Sequence, residues 1–197
     1  LNNALFRQGG AAAVTVYGMI TRVMMVTNVP VMGLIQGFLP IAGYNYGAQR
    51  PDRVRQVIRL ATVSGSLIAV GLFAIVMLIP DLLLRAFTQE AELIEQAVPA
   101  LRIVFLATPT LTLQLIGSAY FQAIGKPIPA LLLALTKQGF CLIPLLLLLP
   151  IWYDLSGVWW SFPIADTLSA LLSAIFLQHQ MRHRLDARAM PVAPQPE

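Results

Sequence analysis

Four ionisable side chains fall inside or beside long apolar runs of this sequence: Arg22, Arg102, Lys137 and Asp166. Where such a run crosses a bilayer, a charge at its centre costs at least about 2.5–3.5 kcal/mol. Each of these residues must therefore reach an interface, find a partner or do chemistry. Arg102 lies about one turn inside its run and is expected to snorkel outwards. Arg22 can do the same if its run begins outside the hydrocarbon. Lys137 and Asp166 have no such escape: counted from the ends of their runs, both lie mid-membrane, at depths roughly 5 Å apart. Two roles are open to them, a buried ion pair tying the last two helices together or, for Asp166, exchange of a proton or a cation. Ser169 and Ser173 follow Asp166 at i+3 and i+7, on one helical face. Gln36, Gln114, Gln122 and Gln138 add hydrogen-bonding groups within the runs. Bonds between helices are their simpler role, contact with a transported solute the other.

Enzyme chemistry finds no support. No nucleophile–base pair, phosphate loop or HExxH-type metal motif is present. Gly43-Tyr44-Asn45-Tyr46-Gly47 is glycine-rich, but it follows an apolar run rather than a strand and has no P-loop lysine, so it is expected to be the turn ending that run. The one cysteine, Cys141, lies in an apolar run and reads as a small buried side chain. His179 and His183 flank a basic terminus and suggest solvated residues, not metal ligands. No cofactor is expected.

The elements that position these residues follow from composition. Hydrophobic residues make up 57% of the 197 and charged residues 11%, against roughly 25% charged in a soluble domain; mean hydropathy is +0.73. A spanning helix needs about 20 mainly apolar residues. About five segments qualify: 11–42, 57–79, 98–123, 128–149 and 158–177. The expected fold is an all-α integral membrane protein, a polytopic helix bundle in contact with lipid, with residues 1–8 ending an earlier helix. Prolines 30, 40, 109, 144 and 163 fall within the segments; 30 and 40 are natural kink points. A bundle over 1–182 and a basic, proline-rich tail over 183–197 are the expected divisions. Small residues at Gly33/Gly37 and at Ala61/Gly65/Ala69 suggest helix contacts.

Basic and non-basic connections alternate. Arg50, Arg53, Arg55 and Arg59 follow the first segment, Lys126 the third, and Arg182, Arg184 and Arg188 the last; Asp81, Glu90, Glu92, Glu95 and Asp154 mark the others. Lysine and arginine favour the cytoplasmic side, which places 43–56, 124–127 and the C-terminus in the cytoplasm. The net charge of +4 thus reports topology, not nucleic-acid binding. Trp152, Tyr153, Trp159 and Trp160 are expected to form an aromatic belt at the outer interface.

Three stretches resemble the multidrug and toxic compound extrusion (MATE) transporters: Gly33-Leu34-Ile35-Gln36-Gly37-Phe38-Leu39-Pro40 running into Gly43–Ala48, Tyr120–Pro127, and Gly157–Ser161 with Pro163-Ile164-Ala165-Asp166. The resemblance implies helices eight to twelve of a twelve-helix protein built from two pseudo-symmetric halves, preceded by the end of helix seven. A chain opening on Leu1-Asn2-Asn3 is then expected to be part of something longer, with the N-terminal half of the same transporter as a partner. It implies a multi-pass protein of the bacterial inner (plasma) membrane that exports drug-like organic cations in exchange for sodium or protons by alternating access. Asp166, Lys137, Gln36, Gln114, Gln122, Gln138 and Arg22 are the candidates for its pathway. Lys137-Gln138 stands where the family suggests Arg-Gln. The alternatives are a lipid-linked sugar flippase of the same superfamily, which needs a more cationic cavity, and a membrane scaffold with no transport path.

Overall fold

A computed structural model describes residues 2–180. All of its regular structure is helical. Helix α1 runs Asn2–Gly47, α2 Pro51–Leu78, α3 Pro80–Arg85, α4 Ala91–Phe105, α5 Leu111–Ala123, α6 Pro127–Leu135 and α7 Ile143–Gln180. A 3₁₀ turn, Thr108–Thr110, joins α4 to α5, and a π-helical segment, Thr136–Leu142, joins α6 to α7. The expected tail, with His183, Arg182, Arg184 and Arg188, lies outside the described residues.

Four continuous helical runs are long and apolar enough to cross a membrane: Gly9–Gly47, Pro51–Leu78, Ala91–Ala123 and Pro127–His179. The last has 53 residues, about 80 Å if straight and far too long for one crossing. It reverses at Tyr153 (φ −125°, ψ 15°) and Asp154 (φ 47°, ψ −135°). A Cβ built on Gly157 would lie 2.5 Å from the Leu149 carbonyl oxygen, a proximity that only a chain folded back on itself allows. Five crossings therefore stand, as hydropathy predicts.

Segment ends differ from expectation in ways set by local chemistry. The first segment reaches Gly47 rather than stopping near 42. The Gly43–Gly47 stretch is helix, with Gly43 packed so close to α5 that a Cβ there would meet the Ala123 carbonyl oxygen at 3.0 Å. The turn lies beyond it, where Gln49 takes a left-handed conformation (φ 54°) and Pro51 opens α2 at its first position. Within α1 the backbone break falls at Gly10 (φ 66°, ψ −159°), separating the short leading helix from the first span; Pro30 and Pro40 sit inside continuous helix. Pro109 does interrupt the third span, at the 3₁₀ turn.

Packing divides the interior into two apolar clusters. One gathers Val16, Ile20, Leu84, Leu101, Phe105 and Phe162; the other gathers Phe38, Ile58, Ile116, Tyr120, Phe121 and Leu177. Tyr17 stacks on Phe162 with centroids 5.9 Å apart, fastening α1 to α7. The outer faces of α2 and α7 are aliphatic, including Leu67, Val70, Leu171 and Ile175, as contact with lipid tails requires. The small-residue pattern on α2 is used inside the bundle: Ala61, Gly65 and Ala69 are buried, and a Cβ on Gly65 would run into Thr112 and Leu34. Gly33 and Gly37 are not used in this way. Both are exposed with open space around them, because their side of α1 turns away from the other helices. The aromatic cluster splits as well: Trp152, Tyr153 and Trp160 are exposed, whereas Trp159 is a core residue at 6% exposure.

The hairpin predicts a sharp response at Gly157. Gly157→Ala sets a methyl against the backbone of Leu149 and Pro150, and overpacking of this kind costs about 1–3 kcal/mol. Thermal unfolding in detergent is expected to show that loss, while Gly71→Ala, which meets nothing within 4 Å, does not lower the midpoint.

Candidate functional site

Between the two apolar clusters lies a buried polar layer: Thr112, Gln114, Asp166 and Ser169, each at 6% exposure or less. Its centre is an ion pair. Lys137 Nζ lies 2.7 Å from Asp166 Oδ1, with side-chain exposures of 18% and 8%. The depths read from sequence thus bring these two residues together.

Each partner is positioned by a local feature of its helix. Lys137 sits on the π segment, whose widened turns reset the azimuth of the residues that follow α6. Thr136, next to it, donates its hydroxyl to the Leu132 carbonyl at 2.8 Å. Asp166 follows Pro163, whose missing N–H loosens α7 at that level. The turn is tightened again by two side chains: Thr167 donates to the Pro163 carbonyl at 2.8 Å and Ser169 to that of Asp166 at 3.0 Å. The Ser173 hydroxyl is also buried, and its Cβ would lie 3.1 Å from a Cβ on Gly117 of α5. The polar face of α7 thus packs on α5.

A small cavity of about 30 Å³ adjoins the pair, lined by Lys137 and Asp166 together with Thr27 and Asn28 of α1 and Thr108 of the 3₁₀ turn. It has room for a water or a bare ion, not for a drug. Thr27, Asn28 and Thr108 were not singled out in the sequence; only the bundle shows that the 3₁₀ break and the middle of α1 meet at Asp166.

The remaining candidates lie elsewhere. Gln114 is buried at 5% with its side-chain oxygen lacking a hydrogen-bond partner. Gln36, Gln122 and Gln138 are exposed on the outside of the bundle, as is Arg22. None of these four is among the residues lining the cavity. Arg102 is exposed, as its snorkelling requires, and donates to the Met77 carbonyl at the end of α2 at 3.4 Å. Among the described residues no group of three or more His, Cys, Asp or Glu could hold a metal ion.

The fold and its central charge pair define a multi-pass helical membrane protein. The MatE family model matches residues 3–148, and the chain belongs to that family. It is 28% identical over 183 residues to the multidrug export protein MepA of Staphylococcus aureus strain MSSA476, a match covering 93% of this chain and 40% of that protein. It is 27% identical over 176 residues to MepA of Staphylococcus haemolyticus strain JCSC1435, covering 89% and 38%. The chain thus spans about 40% of the length of the curated relatives it matches. Among solved structures, a ligand complex of the MATE multidrug transporter DinF-BH is 42% identical, with a TM-score of 0.79, over 90% of this chain and 40% of that one. An outward-facing multidrug resistance MATE transporter of the MOP superfamily superposes with a TM-score of 0.87 at 21% identity, over 96% of this chain and 42% of that one. An inward-facing one gives 0.86 at 20% identity, over 98% and 44%.

Breaking the pair is expected to cost more than removing it. Asp166→Asn alone leaves a lysine ammonium in the bundle and destabilises by about 3–5 kcal/mol. Asp166→Asn combined with Lys137→Met recovers most of that loss. Denaturation of the two variants in mild detergent, completed as a double-mutant cycle, measures the coupling.

Proposed function

We propose that this chain is one lobe of a cation-coupled exporter that expels amphiphilic organic cations across the bacterial plasma membrane in exchange for sodium or protons. The observation carrying this reading is a buried carboxylate, Asp166, placed between apolar clusters and beside a cavity of ionic size. A carboxylate held in a dry bundle changes the charge of its surroundings when it takes up or gives up a cation. That change is a means of biasing one arrangement of two lobes over another. The lobe fold matches outward- and inward-facing relatives about equally well, with TM-scores of 0.87 and 0.86, which supports a lobe that moves as a body. The second lobe would come from sequence corresponding to the remainder of the longer relatives. A flippase for lipid-linked sugars is less well supported: Lys137 is the cation lining the cavity and Asp166 already neutralises it, so little positive charge is left to meet a pyrophosphate.

In proteoliposomes carrying the complete two-lobed transporter, an ethidium-like cation is expected to leave against its gradient when a sodium or proton gradient is imposed. Asp166→Asn, shown to be folded, is expected to reduce that flux to the level of empty liposomes. Efflux indifferent to both gradients would refute the coupling. The proposed orientation puts 43–56 and 124–127 in the cytoplasm and the Tyr153–Asp154 hairpin outside. With the buried native cysteine replaced, a cysteine at 154 is expected to react with an impermeant maleimide in intact cells, and one at 126 only after the cells are opened.

A further inference from the structure

Lys137 meets Asp166 in a way that suits displacement. The ammonium makes one point contact, at 2.7 Å, where an arginine would offer a fork of donors that a carboxylate grips at two points. The lysine is the more accessible partner, at 18% against 8% for the aspartate. It reaches the carboxylate on a flexible four-carbon stem from a π-helical segment. The ammonium can therefore withdraw while the carboxylate stays fixed on α7.

The space beside the pair has the chemistry of a small hard cation. Its polar lining, apart from the pair, consists of Thr27, Asn28 and Thr108, two hydroxyls and a carboxamide. The Thr27 hydroxyl spends its proton on its own helix, donating to the carbonyls of Val23 at 2.9 Å and Met24 at 3.1 Å, so its oxygen keeps lone pairs. Together with the Asp166 carboxylate these supply the hydroxyl, carbonyl and carboxylate oxygens that hard cations prefer, in a volume of about 30 Å³.

We propose that Lys137 is a tethered resident cation, filling at Asp166 the place a solute cation would otherwise take, and that the oxygens of Thr27, Asn28 and Thr108 complete a monovalent-cation site once the ammonium leaves. The inference rests on Asp166 being a cation-accepting carboxylate, as in the proposed function. It adds that a solute cation binds here by displacing a side chain, so the carboxylate is compensated in both states and the charge that moves is that of the ammonium.

The test is thermal unfolding of the purified 197-residue chain in nanodiscs, in sodium chloride against choline chloride at equal ionic strength. Wild type is expected to melt at the same temperature in both salts. In Lys137→Met, sodium is expected to raise the midpoint saturably, as a ligand of the folded state does. Adding Asp166→Asn to that variant is expected to abolish the response. A variant that folds only in sodium gives the same result in stronger form. A folded Lys137→Met without sodium dependence, or a wild type as sodium-sensitive as the variant, overturns the proposal. So does failure of both Lys137→Met and Lys137→Gln to fold in sodium, because no solute cation then replaces the ammonium. Binding is read without transport, so absence of gradient-driven efflux would count against the export reading alone, and absence of a sodium response against this inference alone.

Discussion

An isolated charge in the hydrocarbon core is intolerable, and this bundle is organised around meeting that constraint once, at its centre. Lys137 and Asp166 stand far apart along a single apolar run, and their contact at 2.7 Å requires the run to fold back between them. The reversal occurs at Tyr153–Asp154, near the midpoint of the two positions. Around the pair the helices depart from regularity in two places: the π segment bearing Lys137 and the 3₁₀ break at Thr108–Thr110. Irregular backbone at membrane depth is tolerated where it is buried in protein or lines a cavity, and here it surrounds the charged cavity.

Either side of that level the bundle is ordinary close packing. The two apolar clusters hold the ends together, and the small residues of α2 let it approach α1 and α5. The bundle consequently has closely packed apolar ends and an irregular, polar centre.

How far the sequence could be read follows from what lipid does to a hydrophobic pattern. Segment length and the sorting of charges are one-dimensional properties, and they located five crossings and the shared depth of Lys137 and Asp166. The azimuth of a side chain around its helix is another matter. In a soluble helix an apolar stripe marks the core; in a membrane both the core and the surroundings are apolar, so the stripe vanishes. Gln36 and Gln138 therefore looked as internal as Gln114, yet only Gln114 is buried. For the same reason Gly33 and Gly37 looked as contact-making as Gly65, and Trp159 could not be told from Trp160. The cavity partners Thr27, Asn28 and Thr108 were invisible because they come from two spans far apart in the sequence.

The hairpin at Tyr153–Asp154 has a bearing on biogenesis. With so few residues outside helical geometry between them, the last two spans have no soluble loop to hold them apart while the chain is being made. Lys137 emerges from the ribosome before Asp166 and, left alone in the insertion machinery, would have to partition into lipid as a lone ammonium. A tight reversal delivers its counter-charge within the same helical pair, so the two spans can leave the translocon together as an electrically neutral unit. The order of synthesis and the shortness of one turn thus decide together whether the charged centre is assembled inside the membrane or stalls at its edge.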